Sequence, residues 1–313
     1  MLYITSKYEN WLLIGGHKIK NKTITIKKKK TQQKTLCGEV RKKDKADKRN
    51  YLNDLTNTEW MFFTRSVWNT TYPHVLSHEL RKEQGGNKPP GLMKDIIEFF
   101  TKSGEKVLDP TSGVGGTLLG CALSGRIGTG IELNPKWVDI YKKVCKENNI
   151  EEFKVLIGDS LEKIDELKGE KFAFIVMDPP YREDVEWDRT MCNNTHYTRD
   201  AGVAKKYSED DKDLGNIKDA KLFLKKIYDL STKIWELLDD NRYYVIFCKD
   251  EYQDEEYREK SSIITETIRK AGFYWKGKIT WYQSGAKLRP YGVPYAYVPN
   301  IIDQKILIFK KKK

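Results

Sequence analysis

Lys106-Val-Leu-Asp109-Pro110-Thr111-Ser112-Gly113-Val-Gly115-Gly116-Thr117 decides the fold. It joins a short apolar strand pattern to a glycine-rich turn, and Leu118 to Leu123 continues as a helix. Glycines there let the backbone approach a ligand closely, and the amides that open the helix favour a carboxylate or phosphate. A lone glycine triplet is weak evidence. Its surroundings strengthen it. Gly128-Thr-Gly130-Ile131-Glu132 reads as a second strand ending in an acid, and an acid about 20 residues beyond such a turn holds ribose hydroxyls in doubly wound sheets. Asn134 and Pro135 read as N-cap and first position of the next helix. Phe153 to Ile157 is a third strand, closed by Gly158-Asp159-Ser160, and Phe172 to Met177 is a fourth, closed by Asp178-Pro179-Pro180-Tyr181. Every strand of this half delivers a polar group at its carboxyl end, the edge where open α/β sheets bind ligands.

The Asp-Pro-Pro-Tyr turn carries its own chemistry. A proline pair neither continues a strand nor freely starts a helix, so the Asp178 carboxylate and the Pro179 carbonyl are expected to face one small volume. Two acceptors facing one point suit an amino group. Tyr181 adds a flat face for a planar base, a contact worth about 1–3 kcal/mol in single-stranded nucleic-acid binders. Taken alone, the tetrapeptide also reads as a capped turn.

In combination these residues resemble the amino-directed DNA methyltransferases that use S-adenosylmethionine (SAM) and modify adenine N6 or cytosine N4. The likeness covers roughly residues 52 to 310. It implies a doubly wound, seven-stranded, Rossmann-like α/β sheet with the last strand antiparallel. It implies a SAM loop at Asp109, Pro110, Thr111, Ser112, Gly113, Gly115, Gly116 and Thr117, with Glu132 on the ribose and Asp159 and Ser160 on the adenine side. Asn87-Lys88-Pro89-Pro90 resembles the segment that closes over the methionine end, and Asp178, Pro179, Pro180 and Tyr181 correspond to the catalytic motif. Trp281 to Pro290, Pro299-Asn300 and Gln304 to Phe309 resemble the family's C-terminal hairpin. Two positions depart from the pattern: Thr111 stands where a phenylalanine is usual, and Asp303 where a histidine often precedes the last strand.

The implied reaction moves a methyl group to an exocyclic amine of a base flipped from double-stranded DNA, and a motif that begins with Asp favours adenine N6 over cytosine N4. Asp-Pro-Pro-Tyr also occurs in RNA guanine-N2 methyltransferases. A non-catalytic SAM- or DNA-binding subunit would keep the glycine turn but should lose Asp178 or Tyr181, and both are present. A modification subunit of a larger restriction or phage-defence complex fits equally, so a partner subunit remains open.

Other chemistries lack support. Methylation at cytosine C5 needs a cysteine nucleophile, typically after a proline, and no Pro here is followed by Cys. Cys37, Cys121, Cys145, Cys192 and Cys248 show no C-x-x-C spacing and the four histidines no ligand spacing, so no metal is expected. Cys121, Cys145 and Cys248 read as small buried hydrophobes. No stretch approaches the roughly 20 apolar residues of a membrane helix. Scattered thiols in odd number fit a reducing cytoplasm.

The net charge of +12 looks like a nucleic-acid signature, but it is not spread evenly. Residues 1–50 hold 15 Lys/Arg against 4 Asp/Glu, and four lysines close the chain, so the stretch between is net −3. A basic arm over 1–50 can follow phosphates without reading sequence, or be a solvated tail. Ile19, Ile24 and Ile26 alternating with lysines fit a small hairpin there. The methyltransferase domain is expected over 51–313. Within it Thr56 to Glu59 reads as a capping box that opens a helix with Trp60, Phe63 and Val67 on one face. An amphipathic helix over Ala220 to Leu238 leads to a strand at Tyr243 to Cys248. The stretch 182–219 fits no regular element and carries 7 basic and 10 acidic residues, which argues against simple phosphate binding. It reads as an inserted loop over base and DNA, with Trp187, His196 and Tyr197 as candidate contacts. Lys287, Arg289 and Tyr291 in the C-terminal hairpin are further candidates.

Overall fold

The computed structural model describes residues 45–180, 207–283, 285–286 and 288–313. Residues 1–44 of the basic arm, Tyr181, Trp187, His196, Tyr197 and Lys287 lie outside the described residues.

Thr56 opens the first helix as expected: its hydroxyl accepts the Glu59 amide and the Glu59 carboxylate accepts the Thr56 amide, forming the reciprocal box. That helix, α1 (Asn57–Phe63), is shorter than its periodicity predicts. Trp60 and Phe63 pack against Phe99, but Val67 is exposed and belongs to a two-residue strand, β1 (Val67–Trp68). Backbone pairing with a partner strand overrides the helical spacing. After α2 (His78–Arg81) come α3 (Pro90–Phe100), β2 (Lys106–Asp109), α4 (Gly116–Ser124), β3 (Ile127–Glu132), α5 (Pro135–Asn148), β4 (Lys154–Ile157), α6 (Ser160–Lys163) and β5 (Phe172–Met177). Asn134 caps α5 by accepting the Lys136 amide at 3.0 Å, with Pro135 in the first turn.

The second half holds α7 (Ala220–Leu237), β6 (Leu238–Cys248), β7 (Glu251–Gln253), β8 (Glu256–Arg258), α8 (Lys260–Lys270), β9 (Tyr274–Tyr282) and β10 (Asp303–Lys310). The main sheet runs β1-β9-β10-β6-β5-β2-β3-β4, with β10 antiparallel to both of its neighbours and the other pairs parallel. This is the Rossmann-like methyltransferase arrangement expected, with one correction: eight strands rather than seven. The extra one, β1, pairs with β9 through only Val67↔Thr280 and Trp68↔Trp281, too short to leave a period in the sequence. β7 and β8 form a separate hairpin.

Every residue of β5 is buried, because helices cover both faces of the sheet. Leu92, Ile96, Ile97 and Phe100 of α3 pack on one face with Phe174, Val176 and Phe247. Ile227, Leu230 and Ile234 of α7 join Ile264 and Ile268 of α8 on the other, against Ile175, Met177 and Tyr244. Fully burying such a side chain is worth roughly 1.5–3 kcal/mol, so β5 is held from both sides. Cys121, Cys145 and Cys248 are buried free thiols, as their element positions predict. Among the described residues no helix is long and apolar enough to cross a membrane, and no three His, Cys, Asp or Glu side chains gather as metal ligands.

Candidate active site

From β2 the chain steps out through α4 to β3 and β4 on one side and then returns to β5 on the other, so the carboxyl ends of β2 and β5 flank a topological switch point. A cavity of about 230 Å³ opens there. Lys88, Asp109, Thr111, Ser112, Gly113, Gly116, Thr117, Glu132, Asp159, Ser160, Asp178, Pro179 and Pro180 all line it. Pro89, Pro110 and Gly115 do not. Pro89 instead stands at the N-cap of α3, and the Pro110 carbonyl accepts the Ser160 hydroxyl. Gly115, at φ +78°, lies under the ring of Tyr141, where a Cβ would come within 2.2 Å.

Asp109 closes β2 and staples the glycine turn. One oxygen accepts the Thr111 amide at 2.9 Å, and the other accepts the Thr117 hydroxyl. Burial pushes its carboxyl up to about 6 against the pull of these hydrogen bonds. Glu132 closes β3 in the same way: its two oxygens accept the amides of Gly113 and Asn134, each at 2.8 Å. Burial raises Glu132 to about 7 although both amides oppose it, and Asp213 and Asp109 add to the rise. Asp159 accepts the Leu161 amide at 2.9 Å and so caps α6.

Asp178 follows β5, its side chain about 19% exposed. Its amide donates to the Thr111 hydroxyl at 3.1 Å, which ties this turn to the glycine turn. The Lys88 ammonium is paired with one Asp178 oxygen and lies 4.9 Å from the centre of the Phe247 ring. The sequence reading had placed Lys88 at the cofactor end. The structure pairs it with Asp178.

Sequence reasoning missed several lining residues. Gln84 accepts the Val114 amide at 3.3 Å and roofs the glycine turn. The Tyr207 carbonyl accepts both the Trp137 indole N–H at 2.8 Å and the Asn134 side-chain Nδ2 at 2.7 Å, bringing Tyr207, Lys212, Asp213 and Leu214 to the rim. That stretch lies in the polar connection expected to be irregular, yet it contains a short 3-10 turn, Leu214–Asn216, capped by Asp213. Gln304, at the start of β10, also lines the cavity. No local motif marks these residues, because long-range topology delivers them. Arg289 and Tyr291 lie outside the lining. The backbone of Arg289 is clamped by Asn300, which accepts its amide and donates to its carbonyl, both at 2.8 Å.

Residues 3–143 match the family described as DNA methylase (N6_N4_Mtase), and residues 95–235 match the family described as conserved hypothetical protein 95. The chain is 28% identical over 93 residues to the tRNA (guanine(10)-N2)-dimethyltransferase of Pyrococcus abyssi, 30% of this chain and 28% of the relative. It is 39% identical over 77 residues to the type II methyltransferase M.XycI of Xanthomonas campestris pv. cyanopsidis, 24% of each. The chain thus spans about a quarter of the length of these relatives. Solved structures with a similar fold include TrmN from Thermus thermophilus, at TM-score 0.45 and 11% identity, covering 71% of this chain and 48% of that one. A methyltransferase from Pyrococcus furiosus gives TM-score 0.41 and 14% identity, covering 72% and 83%.

Proposed function

We propose that the chain is a member of the N6/N4 DNA methylase family that its residues 3–143 match, and that it moves a methyl group from SAM to the exocyclic amine of a base flipped out of double-stranded DNA, adenine N6 foremost. The observation that carries this reading is the convergence of the glycine turn, Glu132 and Asp178 on one cavity, with Thr111 bonded between the two turns.

The residues present fit the cofactor. Gly113, at φ +53°, and Gly116 keep the turn free of side chains, and Glu132 and Asp159 supply acceptors for hydroxyl and amino groups on its nucleoside. SAM, when bound, supplies a methyl group already activated on a sulfonium. What is left to the protein is alignment, which can provide much of the acceleration in such transfers. An exocyclic amine is a poor nucleophile because its lone pair is delocalised into the ring. Asp178 and the Pro179 carbonyl, by accepting its hydrogens, draw the nitrogen toward a pyramidal geometry with the lone pair free. Lys88 holds one carboxylate oxygen in place while the other faces the amine. The extra proton leaves after transfer, so Asp178 need not be a strong base. Tyr181 stacks on the flipped base, and the basic arm follows phosphates.

Incubation with tritiated SAM and mixed DNA or RNA, digestion to nucleosides and identification of the labelled product tests the reading. N6-methyladenine from DNA is the expected result. Asp178→Ala should lower the rate at least about 100-fold while SAM affinity, read by calorimetry, stays within about threefold. Full activity in that variant would end the proposal. A second reading, guanine N2 in RNA, has the similarity to the tRNA (guanine(10)-N2)-dimethyltransferase in its favour, and the same digest distinguishes it.

A further inference from the structure

Gln304 holds a primary amide at the wall of the cavity that also contains Asp178 and Pro179. Its Oε1 is buried and meets no hydrogen-bond donor among the described residues. Buried side-chain acceptors are nearly always partnered in folded proteins, so an orphan on a residue that lines a cavity calls for a ligand. Its lateral neighbours leave it unsatisfied. Register places Gln304 opposite Trp281, and Trp281 beside Trp68, yet both indole N–H groups are themselves buried without partners. Neither tryptophan lines the cavity. Gln304 does.

We propose that Gln304 reads the edge of the target base beside the reacting amine. This rests on the function proposed above and names a residue that determines which base is accepted. A primary amide offers one acceptor and one donor side by side. In each amine-bearing base the amino N–H adjoins a ring nitrogen acceptor, so the two edges are complementary, and glutamine pairs with adenine through its amine and N7 in this bidentate way. Oε1 joins the Pro179 carbonyl on the second amino hydrogen, while Nε2 donates to the ring nitrogen. Thymine and uracil lack the amine and fail both tests.

The experiment compares wild type, Gln304→Leu and Gln304→Glu for steady-state methylation of mixed-sequence DNA and RNA, nucleoside product and SAM affinity. Gln304→Leu removes both hydrogen bonds and should lower kcat/KM for the nucleic acid about 10- to 100-fold, with SAM affinity within threefold of wild type. Gln304→Glu is nearly isosteric but presents only acceptors when ionised, so on adenine it should fall at least as far. Retention of activity by the Glu variant on guanine would still place this residue at the base, because the guanine ring carries an N–H beside its amine. Wild-type kcat/KM and an unchanged product in both variants would overturn the proposal while leaving the proposed function standing. An equal loss of SAM binding in both would reduce Gln304 to a structural role. If wild type labels no nucleoside at all, the proposed function fails, and this proposal with it.

Discussion

Thr111 joins the two halves of the cavity, since its hydroxyl accepts the Asp178 amide and its own amide is held by Asp109. A phenylalanine, usual at this position in the family the sequence resembles, could not make that bond. Thr111→Val keeps the shape and removes the acceptor, leaving a partly buried amide without a partner at a cost of about 1–3 kcal/mol. Single-turnover methylation should slow about tenfold, SAM titration should be nearly unchanged, and Thr111→Ser should restore the rate. Equal rates for Val and Ser would show that the hydroxyl does not position Asp178. At this scale the sequence disclosed the acids and the glycines, because strand ends and turns are local. The pairing of Lys88 with Asp178 was not legible, because 90 residues separate the partners and their two motifs carry no sign that they meet.

The packing of α4 on the segment that enters α3 gives the element-scale prediction. A Cβ at Gly116 would come 2.8 Å from the Lys88 carbonyl oxygen, and backbone cannot swing aside as a side chain can. Gly116→Ala should therefore cost about 1–3 kcal/mol in urea unfolding and weaken SAM binding by displacing Lys88. Gly285→Ala, with nothing within 4 Å of the added carbon, is the matched control and should be near neutral. Most elements were legible because caps and periods are local: the Thr56 box and the Asn134 cap both form as read. The β7–β8 hairpin escaped notice. Its turn takes positive φ at Asp254 and Glu255, at 51° and 62°, and lacks the Asn-Gly or Asp-Gly pair that usually signals such a turn. β1 escaped for want of length, and Val67 went with it from helix to strand.

Across the whole molecule, the buried acids make stability depend on pH. The folded pKa of Glu132, about 7, lies above its ordinary value of 4.5, so the folded state holds this proton more tightly than the unfolded chain. Its contribution is full below pH 4.5 and is lost as pH rises through 7, a change of about 3 kcal/mol by linkage. Glu132→Gln removes the titration and leaves one of the two amides poorly paired at every pH. The melting temperature of the variant should gain on wild type between pH 5 and pH 8, and a constant gap would show that Glu132 does not titrate in this range. The doubly wound order was legible from four strands that each end in a polar group, whereas the place of Gln304 was not, since an antiparallel hairpin carries it in from the far end of the chain. That route has a consequence for redesign. The acids proposed to hold the cofactor hang from β2, β3 and β4, while Gln304 hangs from β10, with β5 and β6 between them. On the proposed function, donor chemistry and recognition are thus mounted on separate strands: substitution at the start of β10 is a route to a new target that leaves the methyl source untouched.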